Sequence, residues 1–275
     1  MKEKENKIMK EKDLTSRILV AVIFMPILLF IYYKGGSWLF IFAGCVSLLC
    51  TYELCKMIFH SQQKQKIRTL INMLLSASLC SIIARYDLHS DLVLILLFTT
   101  YMVNGVFDVF CGNLTGSFVR IAGSLLAVAY PAIGMGLLYR LHSLAPLVII
   151  VLAVLVWIND SAAYFIGKRF GRHKGIFLCS PKKSLEGFVG GFLSVVVTCA
   201  GLYLLFPDFY SARVYGFMII AVGIFGQFGD LFESILKRDM NIKDSSHILP
   251  GHGGILDRFD SLLVAAPIFY ILMTI

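Results

Sequence analysis

The residues best suited to chemistry crowd into the stretch from Gly229 to Asp260. Six acids (Asp230, Glu233, Asp239, Asp244, Asp257 and Asp260) share it with Lys237, Arg238, Lys243, Arg258, two histidines and four glycines. On a helix, Asp230, Glu233, Ser234 and Lys237 fall at i, i+3, i+4 and i+7 and share one face. The simplest reading of Glu233 is an ion pair with Lys237. Asp230 is harder to explain that way, because a carboxylate turned toward lipid costs about 2.5–3.5 kcal/mol at mid-bilayer. It should face protein, water or a metal. Asp257 and Asp260 sit one helical turn apart at the start of the last apolar run. Three carboxylates from two helix ends, Asp230, Asp257 and Asp260, suit a single hard cation such as magnesium, which takes oxygen ligands and keeps several waters. A second cation is left open. Between the helices lies Pro250-Gly251-His252-Gly253-Gly254, a run that can bring backbone N–H groups to an anion. His252 there contacts a phosphate, acts as an acid or serves the structure alone.

A second polar stretch carries mostly cations. It contains Asp160, Tyr164, Gly167, Lys168, Arg169, Arg172 and Lys174, followed by Ser180-Pro181-Lys182-Lys183-Ser184-Leu185-Glu186-Gly187. Lysines and arginines beside a metal suit triphosphate and lipid phosphate. Ordinary positive-inside charge accounts for Lys174 but not for the Ser-Pro-Lys-Lys-Ser turn. Asp160 reads as a ligand or an orienting partner. Gly187 and Gly191 make a small-x-x-x-small face suited to helix packing. Glu53, Asn104 and Asp108 are expected to satisfy contacts inside the bundle or at its edge. The sequence has no P-loop, no G-x-G-x-x-G, no G-x-S-x-G and no D-G-x-x-A-R run.

The elements that must position these residues are hydrophobic helices. At 58% apolar and 15% charged residues, the chain departs from a soluble domain toward a polytopic membrane protein. Nine apolar runs stand out: Ile18–Tyr33, Ser37–Ile58, Leu70–Ala84, Leu92–Phe110, Ile121–Leu138, Leu144–Phe165, Phe188–Phe206, Tyr215–Leu236 and Ser261–Ile275. With the N-terminus placed in the cytoplasm, all but four of the 25 basic residues (Lys34, Arg85, Arg140 and Arg213) fall on the inner side, as the positive-inside rule requires. The net charge of +8 therefore reads as membrane topology and not as nucleic-acid binding. The expected fold is an all-α transmembrane bundle of about nine spans. A polar cytoplasmic tail (1–16) precedes N-terminal helices (17–143) and a catalytic region (144–275) with cytoplasmic loops at 167–187 and 237–257. The seven cysteines are scattered without C-x-x-C spacing and read as small apolar residues.

Two motif sets carry a family resemblance. One is Ser234-Ile-Leu-Lys237-Arg238, then Lys243-Asp244, then Leu249-Pro250-x-His252-Gly253-Gly254-Ile-x-Asp257-Arg258-Phe-Asp260. The other is Asp160-x-x-Ala163-Tyr164-x-x-Gly167-Lys168-x-x-Gly171 with Ser180-Pro181-Lys182-Lys183-Ser184-x-Glu186-Gly187. Together they resemble the signature of the phosphatidate cytidylyltransferases (CDP-diacylglycerol synthases). The likeness is specific over about 157–191 and 226–260, with Ser184 where Thr is commoner, and only general before that. It implies that CTP and phosphatidate give CDP-diacylglycerol and pyrophosphate with magnesium, in phospholipid biosynthesis at a bacterial-type inner membrane. Asp230, Asp257 and Asp260 would then hold magnesium. Lys237, Arg238, Lys243, Lys182 and Lys183 would neutralise phosphates. Ser234 and His252 would position the site, Asp244 would orient a lysine or second cation, and Arg258 would complete the catalytic group. Asp160, Lys168, Gly253 and Gly254 would serve nucleotide binding. Two alternatives are a lipid or anion transporter, against which the one-sided acids argue, and a CTP-dependent lipid kinase, whose product would be CDP. The oligomeric state is left open, a homodimer included.

Overall fold

The computed structural model describes residues 24–59, 65–86, 90–111, 115–246, 248 and 253–275. The polar tail 1–16, the beginning of the first apolar run, and residues 247 and 249–252, His252 among them, lie outside the described residues. The described residues form helices joined by turns, with no β-strand among them. In chain order the helices are α1 (described from Phe24 to Lys34), α2 (Gly36–Phe59), α3 (Lys66–Arg85), α4 (Asp91–Cys111), α5 (Ser117–Leu144), α6 (Val148–Phe170), α7 (Leu185–Leu205), α8 (Ala212–Asp239) and α9 (Leu256–Thr274). One helix lies on each of the nine apolar runs. Seven of them, α2 to α8, are long and apolar enough to cross a membrane. The described part of α1 is short, and α9 opens with Asp257, Arg258 and Asp260.

The helix ends depart from the predicted loops by a few residues. α6 continues to Phe170 and α7 begins at Leu185, so Lys168 and Arg169 belong to a last helical turn. Cations are favoured there by the exposed carbonyl ends. The connection between α8 and α9 is likewise shortened, because Asp257 is already helical.

α2, α3 and α5 pack into one group, with α4 laid against α3 and α5. α6 and α7 pair closely. The predicted glycine face explains how: a Cβ on Gly187 would sit 2.7 Å from the Ala163 carbonyl oxygen, and one on Gly191 2.8 Å from Asn159 Oδ1. α9 joins the two halves by packing on α5 and on the middle of α8. That middle segment, Ile219–Gly226, is a π-helix, a form that recurs near functional sites. Just after it, the Gln227 side-chain amide donates to the carbonyls of Gly223 (2.7 Å) and Phe188 (3.1 Å), tying α8 to α7.

The turns that bear Lys34, Arg85 and Arg140 share one end of the bundle. Gly35 lies against the His142 ring, Arg85 stacks on Phe40 at 4.6 Å, and Arg140 donates to the Tyr86 carbonyl at 2.6 Å. The acid-rich segments occupy the other end. At that end Arg68, 1% exposed, donates to Asn104 Oδ1 (2.6 Å) and Asp108 Oδ1 (2.7 Å) and lies over the Phe59 ring. Arg120 also donates to Asp108, at 3.1 Å. Asn104 and Asp108 thus satisfy contacts inside the bundle, one of the two places expected for them. Removing one partner of a buried ion pair strands the other charge, at a cost of about 3–5 kcal/mol. Asp108→Ala is therefore expected to lower stability by about that amount in detergent unfolding, against less than about 1 kcal/mol for a typical exposed charge.

Candidate active site

A cavity of about 770 Å³ opens at the acid-rich end, between α6, α7, α8, α9 and the 171–184 connection. It is well within the range of small-molecule sites. Its lining is rich in both charges: Lys168, Lys174, Lys182, Lys183 and Lys237 share it with Asp160, Asp230, Glu233, Asp257 and Asp260.

Local structure explains how each group arrives there. Ser184 is the N-cap of α7: its Oγ accepts from the Gly187 amide at 3.1 Å, as Ser and Thr commonly do. Glu186 in the same turn reaches back to the His173 amide (3.1 Å) and ring Nδ1 (2.5 Å), closing the connection onto α7. This places the Lys182-Lys183 pair over the cavity, and Lys183 forms an ion pair with Asp230. Gly229 lets α8 approach α9, since a Cβ there would fall 2.6 Å from the Asp260 carbonyl oxygen. Asp230 and Asp260 are thereby neighbours, and both lie within electrostatic reach of Asp160 on α6.

The predicted pairing of Glu233 with Lys237 is present at 2.8 Å, and Lys237 Nζ also donates to Asp257 Oδ1 at 2.6 Å. Asp257 Oδ2 accepts from the Gly254 amide (2.7 Å), the Ser245 amide (3.1 Å) and Ser245 Oγ (3.0 Å). Asp257 is therefore tied to the loop and to Lys237 while still lining the cavity beside Asp160, Asp230 and Asp260. Glu233 Oε1 is buried without a hydrogen-bond partner among these acids. Among the described residues, no three His, Cys, Asp or Glu side chains are drawn into a ready-made metal centre.

The other predicted residues fall into two groups. Ser234 is nearly buried, with only a long 3.5 Å contact to Asp230 Oδ1. Arg238 donates to the carbonyls of Cys179 (3.1 Å) and Ile242 (2.9 Å), joining the connection before α7 to the one after α8. Lys243 and Asp244 are exposed and line neither of the two cavities at the acid cluster. Gly253 has a left-handed φ of +79°, and the Gly254 amide is given to Asp257, so the glycine loop directs that donor inward. Arg258 is exposed and lines a second, smaller cavity of about 190 Å³ between α1, α6 and α9. Its walls include Phe24, Leu28, Tyr32, Val156 and Leu262, and it shares Asp160, Asp257 and Asp260 with the larger one.

The family model described as "Cytidylyltransferase family" matches residues 15–275. The chain belongs to the cytidylyltransferase family. It is 36% identical over 274 residues to a protein of Staphylococcus aureus (strain COL) named phosphatidate cytidylyltransferase, covering 96% of this chain and 99% of that protein. It is 35% identical over 272 residues to the one of Staphylococcus haemolyticus (strain JCSC1435), with the same shares covered. In this cytidylyltransferase-family member Asp160, Lys168, Lys182, Lys183, Asp230, Lys237, Asp257 and Asp260 of the sequence motifs line the cavity.

Sequence reasoning undervalued Glu53. It is wholly buried on α2 and accepts four hydrogen bonds from the 245–256 segment. An ionisable residue inside an apolar run was the available signal, but its partners lie some two hundred positions away. The α7 cap yields a direct test of local order. Ser184→Ala is expected to lower stability by about 1 kcal/mol, while Ser184→Thr stays close to the parent. Thermal unfolding of the purified protein in detergent measures both.

Proposed function

We propose that this chain is a phosphatidate cytidylyltransferase, joining CTP to phosphatidate to give CDP-diacylglycerol and pyrophosphate. The carrying observation is that a lysine-walled cavity and an apolar-walled one meet at the same acids, Asp160, Asp257 and Asp260. A water-soluble polyanion and a lipid headgroup need such a junction. In this reading Lys168, Lys182 and Lys183 receive the nucleotide's phosphates. The hydrophobic walls of α1, α6 and α9 receive the glycerol end of the lipid, with Arg258 beside its phosphate.

The donor set suits magnesium. Asp160, Asp230 and Asp260 are hard oxygen ligands, a buried Glu233 oxygen lacks a partner, and magnesium usually binds one or two carboxylates plus substrate phosphates. Asp230 and Asp260 would hold it, with Asp257 through the oxygen now paired with Lys237. Bound there, magnesium would neutralise phosphate charge and orient the α-phosphate. The residues do the remainder. A phosphatidate oxygen is already an anionic nucleophile, so no strong base is needed. It attacks the α-phosphorus in line, a new P–O bond forms, and the bond to pyrophosphate breaks. Lys183 and Lys237 offset the charge that moves to the leaving group, which is how such transfers are chiefly accelerated. Helices in 17–143 act as the scaffold and those in 144–275 carry the chemistry. With the basic residues inward, nine crossings put the N-terminus and the cavity on the cytoplasmic side of a bacterial inner membrane.

Purified protein given labelled CTP and phosphatidate is expected to form CDP-diacylglycerol and pyrophosphate, to stop with EDTA and to resume with added magnesium. Asp260→Asn and Asp230→Asn should each lower kcat by about 10²–10³-fold in protein that remains folded. Lys182→Ala should mainly raise the CTP KM. Formation of CDP with a phosphorylated lipid would overturn the reading in favour of a kinase.

A further inference from the structure

We infer that Glu53, on a helix outside the motif-bearing region, is a positioning residue for the transfer reaction. Its carboxylate lies where α2 meets the segment linking α8 to α9. Oε1 accepts from Ser246 Oγ at 2.5 Å and the Ile255 amide at 2.9 Å; Oε2 accepts from Ser245 Oγ at 2.9 Å and the Leu256 amide at 2.8 Å. Two of these donors are backbone N–H groups at the very start of α9, which have no acceptor within the helix. The negative end of the side chain also complements the helix dipole there. Glu53 thus acts as the missing cap of α9, supplied from another part of the chain.

The contact is tight and shared. Ser245 Oγ lies within hydrogen-bond distance of both Glu53 Oε2 and Asp257 Oδ2. Gly254 passes between them with no room for a side chain: a Cβ would fall 1.9 Å from Ser245 Oγ and 2.6 Å from both Glu53 oxygens. Asp257 in turn holds Lys237, which holds Glu233. Charge-assisted hydrogen bonds thus connect Glu53 to Ser245 and, through the Ser245 backbone N–H, to Asp257, Lys237 and Glu233 in the cavity wall. Such bonds are stronger than neutral ones. Glu53 itself lines neither of the two cavities that meet at these acids, so it acts on Asp257 and Asp260 by fixing the height and rotation of the turn that carries them. Catalytic groups tolerate little displacement: misplacement by about 1 Å can cost about 10²-fold in rate.

Glu53→Gln keeps the shape but presents an NH₂ group to a backbone N–H that needs an acceptor. The inference rests on the proposed cytidylyltransferase activity, and one experiment separates the two. Backbone hydrogen exchange is measured alongside steady-state kinetics for the parent, Glu53→Gln, Ser246→Ala and, for comparison, Asp108→Ala. In Glu53→Gln, exchange over 245–257 is expected to quicken by about tenfold or more while α3 and α4 keep their protection. Its kcat is expected to fall by about 10²-fold with the CTP KM changed less than about threefold. Ser246→Ala, losing one of four donors, should show the same changes in smaller degree. Asp108→Ala should lose stability without quickening exchange over 245–257. Unchanged exchange in Glu53→Gln, or quickened exchange with parental kcat, overturns the inference. So does a general loss of protection in which the folded fraction turns over normally. A parent protein that makes no CDP-diacylglycerol refutes the functional reading instead, and the exchange result still decides whether Glu53 anchors the loop.

Discussion

Like charges brought together at the edge of a low-dielectric bundle set the terms for this molecule. Asp160, Asp230, Glu233, Asp257 and Asp260 project from three helices onto one cavity, and their mutual repulsion is strongest where water is scarce. Lys183 and Lys237 offset part of it through ion pairs with Asp230, Glu233 and Asp257. In the proposed function the remaining negative charge would be offset by a cation and the phosphates it brings. The close approach of α8 to α9 at Gly229, the α7 cap at Ser184 and the Glu53 anchor all serve to keep these acids at a fixed separation.

That constraint also explains the division of labour between helices. α6 to α9 contribute most of the cavity's polar groups, and α2, α3 and α5 provide a packed base that reaches them through Glu53 and Tyr130. The cluster of Arg68, Asn104, Asp108 and Arg120 lies near the same end of the bundle and bonds within itself and to neighbours such as Asn72 and Ser117. Glu53 is where the base touches the catalytic loop. Glu53 is one such link between stability and chemistry, beside the packing of α9 on α5 and the bond from the Tyr130 hydroxyl to the Asp260 carbonyl at 3.2 Å.

Much of this was legible from residue type and spacing. Long apolar runs marked the helices, because in lipid the backbone must satisfy its own hydrogen bonds. The grouping of Lys and Arg by side matches where several of them lie: Arg85 and Arg140 meet at one end, and Lys182, Lys237 and Arg258 gather at the other. The i, i+4 spacing foretold the Glu233–Lys237 pair, and the Gly187/Gly191 face foretold the close packing of α7 on α6. Long-range geometry was not legible. Nothing local in the sequence says that Asp257 accepts from Ser245 and Gly254, that Asp160 joins it at the cavity, or that Arg238 turns to the Cys179 carbonyl. The π-helical segment of α8 was hidden for a similar reason, since an apolar run has the same composition in either helical form.

The most direct test is to locate a cation. Manganese can stand in for magnesium, and its position can be read by anomalous scattering from crystals of the full chain grown with manganese and a non-hydrolysable CTP analogue. The account predicts a peak between the carboxylates of Asp230 and Asp260, lost in Asp260→Asn. A peak away from α8 and α9, or one that persists undiminished in that variant, would contradict it.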